Sequence, residues 1–254
     1  MSRQQKREER EQLIIGKAIA LFTEKGFLGV RMSDIAKASG LAMGTIYSHF
    51  AAKEDVLMGC ATLLTNEEKA IFHSITASDA SAVQRIVTGF TVNWLIAQHH
   101  PQFVEIQNLS LMPSVWSRAN PQRIQQLNTL HGEFFDMAQT VVMEMLNNDL
   151  NMPADMDDAA REELGMLLNH GMWGLCVGLN STAQSGIARA DGDHHEACSC
   201  QHFTTNVIHF LKGYGWQEAA PQLVFAACRE KAQACLQGHA WFACPVAGDA
   251  ESVA

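Results

Sequence analysis

Ile14, Ala18, Leu21 and Phe22 stand at i, i+4, i+7 and i+8, one apolar stripe of a helix that Gly26 is placed to end. Met32, Ile35 and Ala36 predict the inner side of a second, shorter helix, Gly40 a turn, and Ile46 with Phe50 the anchor of a third. Met43, Thr45 and Ser48 then point away from that anchor. Beyond residue 57 the pattern stays helical. A fourth helix is expected to run to about Ser74, a fifth over 80–98, and a shorter one after Pro101. Pro121 opens a long amphipathic helix to about Asn148, and another begins near Asp157, where Asp157 and Asp158 suit the helix dipole. CQHFTTNVIHFLKGYGW predicts a closing helix and Ala220–Gln237 an additional one. The expected fold is all-α: a three-helix N-terminal unit followed by a larger helical domain.

Two short helices joined at a glycine, with a polar outer surface and a lysine opening the next helix, form a unit that can place a helix in the DNA major groove. Over residues 26–57 this unit resembles the DNA-binding half of TetR-family transcriptional regulators. Gly26, Ile35, Ala36, Gly40, Gly44, Ile46, Tyr47, His49, Phe50, Lys53, Glu54 and Leu57 stand at that family's spacings. The likeness is detailed over 7–60 and architectural beyond.

The resemblance implies that Thr45, Tyr47, Ser48, His49 and Lys53 touch the duplex. Lys53 opposes the dipole at the start of its helix, a placement that a shared phosphate would explain, whereas Glu54 and Asp55 suit the helix itself. Tyr47 has a hydroxyl for phosphate and a ring for packing. Arg31 and Ala42 replace the family's capping hydroxyls, so two helix starts lack a side-chain oxygen for their N–H groups. Either phosphate oxygens occupy those ends, with Arg31 adding a charge-assisted bond, or stability is simply lower. Met43 offers only apolar contact, for instance to a thymine methyl.

The formal charge of −9 runs against a nucleic-acid partner until it is divided. Residues 1–57 carry nine Lys/Arg against seven Asp/Glu, about +2, which leaves about −11 for the rest. Arg3, Lys6, Arg7 and Arg10 form a basic arm able to approach phosphates, or a solvated start. No stretch has the length of a membrane span and the N-terminus lacks a signal-peptide core, so the expected location is the cytoplasm, with no membrane partner. Seven cysteines read there as thiols or metal ligands rather than disulfides.

The expected domains are 1–52 for DNA binding, 53–215 for effector binding and dimerisation, and 216–254 for an added helix and tail. LLNHGMWGLCVGLNS and the closing helix resemble the pair through which TetR-like chains form homodimers. Gly171, Gly174 and Gly178 bare one face, for close helix approach or else for a kink or ligand space. The resemblance also implies an effector site among the middle helices. Its candidates are Trp94, Phe103, Met112, Trp116, Phe134 and Met137, with Asn169, His170 and Trp173 supplying polar and aromatic groups; Phe135, Met166 and Met172 share the region, and most of these residues double as core.

His194, His195, Cys198, Cys200 and His202 put five candidate ligands for zinc, copper or iron within nine positions. The spacing is not that of a standard finger, and thiol sensing or an uneventful polar loop are open alternatives. Cys228, Cys235 and Cys244 could join Cys198 and Cys200 around a cluster, or pack as small apolar groups like Cys60 and Cys176. No nucleophile elbow, phosphate loop or spaced carboxylate pair points to an enzyme. The sequence is read as a homodimeric regulator, a repressor released from a double-stranded DNA operator by a small-molecule or metal effector, with a metal-binding module as the alternative.

Overall fold

The computed structural model describes residues 2–184 and 200–242, and eleven helices lie among them. They are α1 (Arg3–Gly29), α2 (Met32–Ser39), α3 (Met43–His49), α4 (Lys53–Thr76), α5 (Ala82–His99), α6 (Pro101–Ser110), α7 (Pro113–Trp116), α8 (Pro121–Asn148), α9 (Asp158–Gln184), α10 (Cys200–Gly213) and α11 (Pro221–Gln237). Prolines open four of them, where a missing N–H costs nothing because the first turn has no internal acceptor. Apart from one isolated bridge between Leu150 and Trp216, no β pairing occurs among the described residues. The all-α expectation therefore holds.

Contacts divide the chain into two compact units. One comprises Met1–Lys69 with His100–Glu133, the other Ala70–His99 with Phe134–Ala254. This division by packing cuts elsewhere than the expected boundaries at 52 and 215, because α4 and α8 each contribute to both units. The boundaries by task remain a proposal.

In the first unit, Ser2 and Gln5 form a capping box at the start of α1. Ile14, Ile15, Ala18, Ile19 and Phe22 are its buried stripe, and Leu21 is only half-buried. Gly26 breaks the helix with φ 68°, after which one more turn runs to Gly29. Gly40, at φ 66° and ψ 24°, ends α2 as a left-handed cap: its N–H donates to Lys37 O at 3.3 Å and that of Leu41 to Ala36 O at 3.1 Å. The start of α4 is tied to that of α8 through Asp55. This carboxylate is 2 % exposed and accepts from the N–H of Ala51 at 2.9 Å and from that of Asn120. Asn120 in turn caps α8, its Oδ1 accepting from Gln122 N–H at 2.9 Å. Asp55 is thus a cross-link between distant segments as well as a residue suited to the dipole.

In the second unit, α5 is buried along most of its length and α11 packs against it through Phe225, Cys228, Ala232 and Leu236. The additional C-terminal helix is a full part of this core. Cys228 donates from Sγ to Gln84 O at 3.5 Å, and burial pushes its thiol pKa up. Asp149 accepts from Val83 N–H at 2.7 Å, and Arg85 reaches Thr76 O at 3.0 Å and pairs with Glu144.

Candidate nucleic-acid interface

Two buried side chains and two arginines set the direction of α3. Ile46 and Phe50, 0 % and 1 % exposed, hold its inner side in the core. Its C-terminal carbonyls, which have no partner within the helix, receive two guanidinium groups. Arg7 donates to Ser48 O at 3.2 Å, and Arg123, from the first turn of α8, donates to His49 O at 3.1 Å. Arg123 also pairs with Glu11 at 2.9 Å and lies over the Phe50 ring, 4.3 Å from its centroid. Cations at a helix C-terminus complement the dipole, so this arrangement fixes the orientation of α3 as well as its position.

The opposite side of α3 is open. Met43 and Tyr47 are 38 % and 52 % exposed, Ser48 is exposed, and Thr45 is half-buried. Ser48 Oγ donates to Thr45 O at 2.7 Å, which leaves its capacity to accept unused by that bond. Ala42 supplies no cap, leaving the N–H groups of the first turn without a side-chain acceptor. Arg31 is exposed at the start of α2, where Asp34 accepts the Arg31 N–H at 2.8 Å but no side-chain oxygen replaces the hydroxyl as acceptor for the first-turn N–H groups. Met43, Tyr47 and Ser48 are therefore accessible on this side and Thr45 partly so, while Arg31 is accessible at the start of α2.

His49 and Lys53 are placed differently. The His49 side chain is 3 % exposed and its Nδ1 lies 3.5 Å from Glu11 Oε2, so the ring is turned inward, against the expected duplex contact. The reason lies in the period of the helix: His49 falls three positions after Ile46, on the buried side. Lys53 Nζ donates to Phe27 O at 2.7 Å and Val30 O at 2.9 Å and sits 4.3 Å from the centroid of the Phe27 ring. Burial lowers its pKa against the opposing pull of Glu54. Two of its three donors thus close the segment after the kink in α1, and one remains for a phosphate. Lys53→Ala is expected to lower stability by about 2 kcal/mol, and Lys53→Met by less because the stem is kept. A salt slope of DNA binding that falls by about one in both variants would retain the phosphate contact; an unchanged slope would make Lys53 purely structural.

The sequence had no means of showing Glu11, Arg7 and Arg123 as the groups that orient α3. Arg7 stood within a basic arm read toward phosphate, and Arg123 is distant in sequence.

The expected effector residues fall in both compact units. Phe103, stacked on His100 at 5.0 Å, and Trp116, donating from Nε1 to Ser110 O at 2.6 Å, pack within the first unit, whereas Met112 is 46 % exposed. In the second unit Trp94 stacks on Phe203 at 5.3 Å and Phe134 on Phe72 at 4.9 Å, while Met137 is half-buried. Asn169 is buried and donates to Gln139 Oε1 at 3.0 Å, and His170 Nδ1 is 2.9 Å from Met166 O. His170 is exposed and Trp173 is 59 % exposed, both on the outer stripe of α9. Met112, His170 and Trp173 are thus exposed on their own units.

His194, His195, Cys198 and Cys244 lie outside the described residues. Cys200 and His202 are in the first turn of α10, where Arg229 approaches Cys200 Sγ at 3.2 Å. Cys235 is half-buried, and among the described residues no three His, Cys, Asp or Glu side chains gather in a metal-binding group.

Residues 14–58 match the family profile described as "Bacterial regulatory proteins, tetR family". The match falls on the helix-turn-helix unit, the stretch whose spacings over 26–57 resemble the same family. The HTH-type transcriptional repressor KstR2 of Mycobacterium tuberculosis is 31 % identical over 101 residues, which are 38 % of this chain and 50 % of that protein. The chain spans about half the length of the curated relatives it matches. The fold is shared more widely. A transcriptional regulator from Saccharomonospora viridis in complex with choline superposes with a TM-score of 0.54 at 22 % identity, covering 83 % of this chain and 100 % of that one. FadR from Bacillus subtilis in complex with stearoyl-CoA gives 0.53 at 17 % identity, covering 85 % and 96 %.

Proposed function

We propose that this chain is a DNA-binding transcriptional regulator, a repressor released from its operator by an effector bound in the helical domain. The observation that carries this reading is α3 itself: an inner side held by Ile46 and Phe50, a C-terminus held by two arginines, and an outer side on which Met43, Thr45, Tyr47 and Ser48 are open. A helix fixed this firmly with its polar side free has the form of a major-groove reader. The likeness to a repressor supports the sign of regulation, and fold relatives solved with choline and with stearoyl-CoA support a small-molecule effector. Location in the cytoplasm and the lack of an enzymatic role accord with this reading; no described helix is long and apolar enough to cross a membrane.

A homodimer would present two copies of α3 to two half-sites. Its proposed face is the outer stripe of α9, where Met166 and Trp173 are exposed and a Cβ at Gly174 or Gly178 would meet nothing within 4 Å. Gly171 serves the chain's own packing, since a Cβ there would lie 2.9 Å from Phe210 Cζ on α10. The bare face is thus shared between an internal contact at Gly171 and an open surface at the other two glycines.

Selection of bound sequences from a random duplex pool, followed by anisotropy titration, tests the regulator reading. One sequence class is expected to emerge, and Tyr47→Ala to weaken binding to it at least tenfold while stability changes by no more than about 0.5 kcal/mol. Failure to enrich any sequence, or undiminished affinity of the variant, would refute the assignment of this surface. The metal alternative stays a proposal for residues 194–202: Cys198→Ser with Cys200→Ser separates it, since an unchanged effector response removes it.

A further inference from the structure

Two polar side chains on α4 each leave a buried oxygen without a hydrogen bond. Thr65 is 4 % exposed, and its Oγ1 makes no hydrogen bond. Other helical threonines turn the hydroxyl onto the carbonyl four residues back, Thr62 to Met58 O at 2.8 Å, Thr88 to Gln84 O at 2.7 Å and Thr91 to Val87 O at 2.7 Å. Thr65 does not. One turn further along, Glu68 Oε1 is likewise buried and unpartnered, although the Gln107 side chain on α6 hydrogen-bonds the carboxyl. Positions i and i+3 share one face of a helix. Burial pushes the Glu68 pKa up to about 7, which shows how weakly the interior supports its charge. The nearest cation in sequence, Lys69, is engaged with Glu133.

A buried acceptor without a donor is a rare cost in a folded protein, and a ligand that supplies the donor would offset it. The flanking residues of both helices, Leu64 on α4 and Phe103 and Ile106 on α6, are buried and apolar. We propose that Thr65, Glu68 and Gln107 form the polar end of an effector site for an amphipathic amine, with Glu68 receiving an N–H of its ammonium group. This rests on the reading of the chain as an effector-controlled regulator. A cation suits the carboxylate because it supplies both the missing donor and the opposite charge in a low-dielectric surrounding, which a hydroxyl cannot. The ammonium must carry hydrogen: a quaternary nitrogen would balance the charge and still leave Oε1 without a donor.

Calorimetric titration of the full chain with dodecylammonium, dodecyltrimethylammonium and dodecanoate, each below its micellar concentration, tests this. Dodecylammonium is expected to bind at least tenfold more tightly than the other two, and Glu68→Gln to abolish that preference. At pH 8 the variant is expected to melt at or above the wild-type temperature, because a buried carboxylate has been removed; a structural carboxylate would give a lower melting point. Absence of dodecylammonium binding, equal binding of the three probes, a preference retained in Glu68→Gln, or destabilisation of that variant each overturns the proposal. Thr65→Val provides the second variant, expected to weaken dodecylammonium binding severalfold, and unchanged affinity counts against the site. Operator affinity measured on the same samples without amine separates the two readings. Intact operator binding with no amine preference removes this proposal alone, whereas loss of operator binding in the wild type removes the regulator reading beneath it.

Discussion

Asp55→Ala is expected to lower the stability of the first unit by about 3 kcal/mol, read as a shift of the urea midpoint at unchanged slope. The carboxylate is buried and accepts from two backbone N–H groups, at Ala51 and at Asn120. Truncation leaves the first of these to find water at an exposed residue and deprives the second of its acceptor at the start of α8. Hydrogen bonds to a charged acceptor contribute roughly 1.5–3 kcal/mol each, more than neutral pairs. Asp55→Asn keeps one carbonyl oxygen and is expected to fall between alanine and wild type. Glu54, also in the first turn of α4 and paired with Arg118 at 3.4 Å, provides the contrast: the Arg118 side chain is 73 % exposed, so Glu54→Gln is expected to cost no more than about 0.5 kcal/mol. Equal losses at the two positions would show that helix-dipole charge, rather than the link to Asn120, sets the stability here.

Trp173→Glu is expected to convert a dimer to a monomer at micromolar concentration, seen by sedimentation equilibrium, and to weaken operator binding by about a hundredfold. The indole is exposed beside Gly174, where a methyl group in place of the glycine hydrogen would meet nothing within 4 Å, and Met166 and Gly178 continue the same stripe of α9. A partner helix can approach such a surface closely, and a carboxylate buried there without a counter-charge opposes association. The variant is expected to melt like the isolated subunit, since Trp173 takes little part in the core of its own chain. A wild type that sediments as a monomer, or a variant that remains dimeric, would remove this face from the assembly.

The helices were legible because their signals are local. Stripes such as Ile14, Ala18 and Phe22, the punctuation at Gly40, and prolines at 101, 121 and 221 act over one or two turns, and the structure follows them within a few residues. Gly26 was read correctly as a break, although the chain resumes one further helical turn after it. What escaped the sequence depends on contacts between distant segments. The structural share of Lys53 escaped because the carbonyls it meets, at Phe27 and Val30, belong to a segment distant in sequence that follows the kink in α1. His49 shares a polar identity with Ser48 but not its direction, which the Ile46 anchor decides. The three glycines of α9 formed one group by spacing, yet the ring of Phe210 claims Gly171 and leaves Gly174 and Gly178 open. Glu68 gave no signal at all, since a glutamate in a helix is ordinarily solvated and only tertiary packing buries its Oε1 away from a donor.

The outward side of α3 bears none of the weight of its own placement. Ile46, Phe50, Arg7 and Arg123 hold the helix, while Met43 and Tyr47 project into solvent. Exchanges at such positions typically alter stability by less than about 0.5 kcal/mol. On the proposed reading, descendants of this chain could acquire a new target sequence by substitution on that side alone, with the scaffold and its folding inherited intact.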